Sequence, residues 1–212
     1  MDFVSKKIQD YCENLSTPED EVLNELNRET YLNVLTPRML SGHLQGNILS
    51  LLSKMIRPKH ILEIGTYTGY SAICMARGLQ AGGKLTTIDV NEELQDICNK
   101  YFAKAGVEEH IEQVIGEASE EIPKIEGPFD LVFMDADKVN YPLYFDQVID
   151  KISIGGFILA DNVLWSGKVL ENTDDKQTQA LIEFNLKVLK SDRVENVVLP
   201  VRDGINVIRK VK

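Results

Sequence analysis

Two strand-like runs near the end of the chain, Val194–Leu199 and Ile205–Lys210, are separated only by Pro200 to Gly204. So short a link cannot hold a crossover helix, so the two runs must pair as an antiparallel hairpin. Upstream the pattern is different. Apolar runs of strand length stand at His60–Ile64, Leu85–Ile88, Ile111–Ile115, Phe129–Met134 and Gly156–Ala160, with helix-length segments between them. Such alternation specifies a parallel sheet with helices on both faces. Five strand–helix units followed by the hairpin predict an α/β fold whose sheet has seven strands.

Residues 2–57 read as helices that precede this core. Thr17-Pro18-Glu19-Asp20 combines a hydroxyl cap, a proline at the first helical position and acids in the first turn. Thr36-Pro37 repeats the signal before a segment running to Met55. No linker, repeat or low-complexity stretch divides the chain, so residues 1–212 are expected to form one domain. Its parts are N-terminal helices over 1–57 and a core over 58–212. The formal net charge of −10 argues against general binding to nucleic acid or anionic membrane. Cys12, Cys74 and Cys98 show no C-x-x-C spacing, which points away from a disulfide framework or zinc site and toward a reduced cytoplasm. Met1 to Gln9 lacks the apolar core of a signal peptide. No run approaches the ~18 apolar residues of a membrane span.

The segment Glu63-Ile-Gly65-Thr66-Tyr67-Thr68-Gly69-Tyr70-Ser71 joins the first core strand to the next helix. Glycines at such a junction let backbone approach a ligand, and the helix offers free N–H groups. The spacing Gly-x-x-x-Gly differs from the Gly-x-Gly-x-x-Gly of dinucleotide sites, and no Gly-Lys-Ser/Thr follows as in a phosphate loop. Asp89 ends the second strand, 24 residues after Gly65, where an acid can accept hydrogen bonds from both ribose hydroxyls. Glu63 stands just before the loop, where it could face an ammonium group. A ligand with a ribose and a cationic amino-acid end fits S-adenosylmethionine better than a dinucleotide. The alternative is a tight turn beside a surface acid.

Asp135-Ala136-Asp137-Lys138 follows the fourth strand, and Asp161-Asn162 follows the fifth. Adjacent parallel strands would put both groups at the carboxyl edge of the sheet, where open α/β sheets bind ligands. Taken singly, Asp and Asn favour turns at such places. Taken together, Asp135, Asp161 and Asn162 offer three hard oxygens to one ion. Oxygen ligands without Cys or His select Mg²⁺, Mn²⁺ or Ca²⁺ over zinc. A lone lysine is usually a solvated charge. Beside a divalent cation the ammonium form of Lys138 is disfavoured, and the neutral amine can act as a base. Trp165, the only tryptophan, is either a flat wall for an aromatic substrate or a half-buried rim residue.

With these residues assembled, the chain resembles the cation-dependent class I O-methyltransferases, typified by the caffeoyl-CoA and catechol enzymes. The matching pieces are Met39 with Gly46, the loop from Glu63 to Ser71, Asp89, Gly116 with Ala118, Asp135 to Lys138 with Asn140-Tyr141, and Asp161-Asn162-Val163-Leu164-Trp165. They run from about residue 30 to the C-terminus. The resemblance implies a Rossmann-like sheet of seven strands with a terminal antiparallel hairpin, S-adenosylmethionine as cofactor, and a divalent cation, most often magnesium. It implies cofactor contacts at Met39, Ser41, Glu63, Gly65, Thr66, Tyr67, Ser71, Asp89, Ala118, Asp135 and Tyr144. Metal ligation falls to Asp135, Asp161 and Asn162, and catalysis to Lys138 with Asp135. The substrate side is expected to involve Asp137, Trp165 and Ser166, with the N-terminal helices shaping the acceptor pocket, and members are commonly homodimers. The chain departs from the plant enzymes at Ser166, where they carry asparagine, and over Ser41-Gly42-His43-Leu44-Gln45. Its N-terminal helices also match poorly.

These expectations converge on methyl transfer from S-adenosylmethionine to an oxygen of a small aromatic vicinal diol. Three rivals stand beside it. A hydroxylated base in transfer RNA would call for a basic patch, against which the net charge argues. A non-catalytic cofactor-binding module would be expected to lack the metal residues or Lys138. A nicotinamide-dependent oxidoreductase is disfavoured by the glycine spacing and the terminal hairpin.

Overall fold

The computed structural model describes residues 4–212, so the first two residues of the expected helical segment, 2 and 3, lie outside the described residues. Three helices lead: α1 Lys6–Asn14, α2 Glu21–Asn33 and α3 Gly42–Ile56. Both expected helix starts shift toward the core. Helix α2 begins after Asp20, whose carboxylate accepts the Leu23 N–H at 3.1 Å and pairs with Arg77 at 2.6 Å. A carboxylate so placed satisfies an orphan N–H and the positive helix end together, which displaces Thr17 as the cap. The Thr17 carbonyl instead lies 2.6 Å from His43 Nε2 and 2.8 Å from Asn47 Nδ2, on α3. At Thr36-Pro37 only a three-residue 3-10 turn forms, Pro37–Met39, because Thr36 is left-handed and Leu40 extended. Helix α3 therefore starts at Gly42.

The core follows as β1 His60–Ile64, α4 Tyr70–Ala76, β2 Lys84–Asp89, α5 Gln95–Ala105, β3 Ile111–Ile115, α6 Ala118–Glu121, β4 Phe129–Met134, α7 Tyr141–Ile149, β5 Ile152–Asp161, α8 Lys176–Lys190, β6 Val194–Leu199 and β7 Ile205–Lys210. One sheet takes the order β3-β2-β1-β4-β5-β7-β6. The first five strands in that order run parallel, and β7 pairs antiparallel with both β5 and β6. The expected sheet of seven strands and its hairpin are therefore present. Strand β5 is longer than the expected Gly156–Ala160, because its register against β4 shifts between Phe129 and Leu131. Gly155, left-handed at φ 86°, carries the strand through that irregularity.

Side-chain alternation divides the strands between two cores. Leu62, Ile64, Val132, Met134, Ile158 and Ala160 face one, with α7 and α8; Ile61, Leu131, Phe133 and Leu159 face the other, with α2 to α5. All these strand residues are fully or almost fully buried. The result is a three-layer sandwich whose middle strands touch no solvent on either face, which is why they read as continuous apolar runs. Among the described residues no helix is long and apolar enough to cross a membrane.

Candidate active site

The strand registers place the polar residues at the carboxyl edge in one row. Ile64 lies opposite both Ile88 and Met134, and Met134 opposite Ala160. One residue further along each strand gives Asp89, Gly65, Asp135 and Asp161, side by side on β2, β1, β4 and β5. Hydrogen bonds continue the ladder past the strand ends: Gly65 N–H to the Ile88 carbonyl and Asp135 N–H to the Ile64 carbonyl, both 2.9 Å. Three interstrand steps of ~4.8 Å separate Asp89 from Asp161, so the row is roughly 14 Å long. The row crosses the point where strand order reverses, between β1 and β4, where open α/β sheets hold ligands. A cavity of about 1200 Å³ lies over it.

The glycine loop is shaped by its neighbours. Gly65 has φ 103°, and a Cβ there would stand 2.2 Å from the Asp135 carbonyl oxygen, so only glycine fits. Asp89 fixes the next turn. Its Oδ2 accepts the N–H of left-handed Tyr67 at 2.7 Å, and its Oδ1 accepts the Asn91 N–H at 2.9 Å. Each oxygen keeps a free lone pair on a side chain that lines the cavity.

Glu63, expected just before the loop and facing an ammonium group, stands in β1 two residues before Gly65. It is completely buried beneath the loop and does not line the cavity. The Thr87 hydroxyl donates to its Oε2 at 2.6 Å, while Oε1 has no hydrogen-bond partner. Burial pushes its carboxyl up to about 8, the Ser71 and Thr87 hydroxyls offset part of this, and Asp135 and Asp89 add to it. An unpartnered carboxyl oxygen with Asp135 and Asp89 close by fits a cationic ligand nearby. It also predicts a pH effect. Below the ordinary value of 4.5 both folded and unfolded chains hold this proton; between there and about 8 only the folded chain does. The Glu63 contribution to stability is therefore lost as pH rises through that window. In thermal melts of the ligand-free protein, Glu63→Gln is expected to gain on wild type steadily from pH 5 to 8. A constant difference between the two melting curves would rule the protonated carboxyl out.

At the other end of the row, Lys138 is buried and donates to Asp135 Oδ1 at 2.9 Å and to the Tyr141 hydroxyl at 2.8 Å. That hydroxyl lies 3.0 Å from the carbonyls of both Met134 and Asp161, so it bridges the ends of β4 and β5. Asp161 is 3% exposed. Its Oδ2 accepts from Gln45 Nε2 at 2.5 Å and its Oδ1 from the Asn162 N–H at 2.8 Å. Burial, and then the charge of Asp135, push its carboxyl up to about 6, against the pull of Gln45 and Lys138. Asn162, left-handed at φ 59°, lines the same cavity wall. Among the described residues no group of three His, Cys, Asp or Glu side chains gathers for a metal, so the candidate set depends on the Asn162 amide. Two carboxylates that repel each other, beside a neutral amide oxygen, are a donor set that fits a hard divalent cation.

The cavity lining collects most of the expected residues: Met39, Ser41, Gly65, Thr66, Tyr67, Ser71, Asp89, Ala118, Asp135, Asp137, Lys138, Tyr144, Asp161, Asn162 and Trp165. Tyr144 donates to Asp137, which also accepts from Asn140 at 2.7 Å, so Asp137 is held at the rim. Ser166 is exposed and does not line the cavity. The left-handed run Trp165, Ser166 and Gly167 turns it outward, and its N–H is taken by Asp203 at 2.5 Å. Among the contributors that the sequence did not announce are Gln45, Arg202, Gln177 and Glu117. The last three line the cavity, and Gln45 supports it from beneath. A lone amide on a helix face next to Gly46 and Leu49 was the available signal for Gln45; Arg202 lay in what read as a mere connection.

Comparison with known proteins gives the same frame. The O-methyltransferase family profile matches residues 13–211. The chain is 36% identical over 206 residues to caffeoyl-CoA O-methyltransferase of Petroselinum crispum, covering 91% of this chain and 85% of that protein. It is 34% identical over 207 residues to the Medicago sativa enzyme of the same name, covering 92% and 83%. A Podospora anserina methyltransferase solved with S-adenosylhomocysteine superposes with a TM-score of 0.89 at 29% identity, covering 97% of this chain and 94% of that one. The Streptomyces achromogenes O-methyltransferase TomG, of tomaymycin synthesis, solved with S-adenosylmethionine, gives 0.90 at 28% identity, covering 97% and 96%. With its strand order, its glycine loop and its row of acids in place, the chain belongs to the O-methyltransferase family.

Proposed function

We infer that this enzyme transfers the methyl group of S-adenosylmethionine to one oxygen of a small aromatic vicinal diol that a divalent cation holds at Asp135, Asp161 and Asn162. The observation that carries the reading is the row Asp89, Gly65, Asp135 and Asp161 along one cavity. It offers a ribose acceptor at one end and a cation site at the other. The methyl donor is S-adenosylmethionine, in keeping with the family and with the two solved relatives that hold it or its product. When bound, a divalent cation supplies a positive charge that favours ionisation of a phenol, ~10 when free.

The chain's own residues then have separate tasks. Asp89 and the loop backbone hold the nucleoside, and Asp135, between the two ends, faces both ligands. Trp165 forms an aromatic wall. Lys138 Nζ is the group assigned to receive the acceptor's hydroxyl proton. The acceptor oxygen bonds to the methyl carbon as the carbon–sulfur bond breaks, and the electron pair stays on sulfur as S-adenosylhomocysteine. The sulfonium is already a strong electrophile, so alignment is the protein's main contribution. A homodimer belongs to the same reading, supported by Leu51 and Met55, which stand one turn apart and exposed on α3.

Incubation with labelled S-adenosylmethionine and magnesium, against catechols, caffeoyl-CoA, flavonoids and bulk transfer RNA, tests the acceptor class. Label confined to transfer RNA would overturn the diol. Asp89→Ala tests the cofactor end. It removes hydrogen bonds to a charged group and should weaken S-adenosylmethionine binding by about 1.5–3 kcal/mol. Because Asp89 also fixes the Tyr67 N–H, part of that loss comes from a looser loop. An unchanged dissociation constant in calorimetry, with an intact fold, would remove Asp89 from the ribose site.

A further inference from the structure

Gln45 and Arg202 lie 157 residues apart and meet beside Asp161. Arg202 Nη1 donates to Gln45 Oε1 at 2.9 Å, and Gln45 Nε2 donates to Asp161 Oδ2 at 2.5 Å. We propose that Arg202, in the turn between β6 and β7, is a positioning residue that acts through the amide of Gln45 to fix the carboxylate of Asp161. The proposal rests on the reading of Asp161 as a cation ligand.

The chemistry of the amide makes the relay directional. The two ends of a glutamine amide are alike in shape and opposite in role. Asp161 needs the NH₂ end; the oxygen end turned toward a carboxylate would repel it. A guanidinium only donates, so Arg202 holds Oε1 and thereby commits Nε2 to Asp161. Gln45 is 1% exposed, and no solvent corrects a flipped amide there. With the Asn162 N–H on Oδ1, both oxygens of Asp161 are then held in one orientation.

The placement of Arg202 supports this role. None of the described ion pairs involves it; its remaining hydrogen bonds, from Nη1 and Nη2, go to the Leu40 carbonyl at 3.4 Å. It occupies a left-handed position, φ 51°, where an arginine is strained and a glycine would not be. The turn itself is clasped to the segment after Asp161. Val163 N–H donates to the Gly204 carbonyl at 3.1 Å and Leu164 N–H to the Asp203 carbonyl at 3.0 Å. The terminal hairpin therefore carries Arg202 to the one place where it can reach Gln45.

The test measures Mn²⁺ binding by electron paramagnetic resonance in full-length wild type, Arg202→Ala, Arg202→Lys, Gln45→Leu and the Ala/Leu double variant. S-adenosylmethionine affinity and melting temperature are followed in each. Supporting groups around metal ligands typically contribute 10–100-fold in affinity, so Arg202→Ala and Gln45→Leu should each weaken Mn²⁺ about tenfold. The double variant should be no weaker than Gln45→Leu, because the arginine acts only through the amide. Arg202→Lys should recover part of the loss, and S-adenosylmethionine affinity should stay within about twofold, well under the 1.4 kcal/mol of a tenfold change. Mn²⁺ affinity unaltered in the single variants overturns the relay. Losses that multiply in the double variant, or a parallel fall in cofactor affinity, overturn it as well. Wild type that binds no Mn²⁺ overturns the cation site and the relay with it, and is distinguished from relay failure by wild type alone.

Discussion

Chelation of divalent metal is expected to stop methyl transfer entirely, and added Mg²⁺ or Mn²⁺ to restore it, while S-adenosylmethionine remains bound. The expectation follows from where the charges stand. Asp135 and Asp161 are neighbours in register, and among the described residues the one basic side chain paired with either is Lys138, on Asp135. Asp161 is almost fully buried, and among the described residues its carboxylate partners are an amide and a backbone N–H, with no basic side chain. A buried carboxylate without a positive partner is costly, and a divalent cation is the natural complement. Asp89 lies two strands from Asp135 and three from Asp161, so the cofactor end is expected to survive metal loss. Asp161→Ala should reproduce the chelated state and resist rescue by added metal. The measurement is transfer of labelled methyl, with metal content followed by elemental analysis and cofactor binding by calorimetry. Full turnover in protein shown to be metal-free would end the cation reading, leaving the O-methyltransferase assignment intact.

How much of this was legible in the sequence depends on whether the determining contacts are local. Strands β1, β3, β4, β6 and β7 fall at the expected residues: β1 and β4 because burial makes them near-continuous apolar runs, and the more exposed β3 and β6 because their β-branched residues still stand out between the flanking segments. The row of acids was legible because each acid ends its strand or directly follows it, and a strand's end is also a register position. Ser166 was not legible. Three consecutive left-handed residues from Trp165 to Gly167 reverse its direction, and only glycine announces such a conformation. The start of α2 was missed because two caps competed, and the winner, Asp20, depends on Arg77 far along the chain. The position of Glu63 just before the loop was legible, but its complete burial was not, since the surroundings of a side chain at a strand end depend on what packs beneath. Gln45 and Arg202 are the clearest case. Neither belongs to a motif, and their partnership exists only after the terminal hairpin has paired with β5.

Truncation of Lys138 to alanine is expected to lower turnover on a vicinal diol by about 10²–10⁴-fold, the range for a positioned acid or base, with little change in cofactor affinity. The side chain is buried against Asp135 and the Tyr141 hydroxyl, so its amine is fixed in place. It is on the cavity lining and one hydrogen bond from a candidate metal ligand. Since proton removal is its proposed task, its loss should appear in turnover rather than in cofactor binding. The acceptor should matter equally. Three protein oxygens are fewer than the six that a magnesium ion takes, which leaves room for two oxygens of one diol and a water. A diol held at two points is fixed in distance and in angle, whereas a monophenol held at one can pivot away from the methyl group. The comparison is kcat/KM for matched substrates, such as caffeate and coumarate, in wild type and in Lys138→Ala. Wild type should prefer the diol strongly, and the variant should lose most of its rate on it. Equal values for diol and monophenol in wild type would rule out two-point binding as the source of selectivity. An undiminished variant, with its fold confirmed by melting, would assign proton removal to solvent and leave Lys138 as the counter-charge of Asp135.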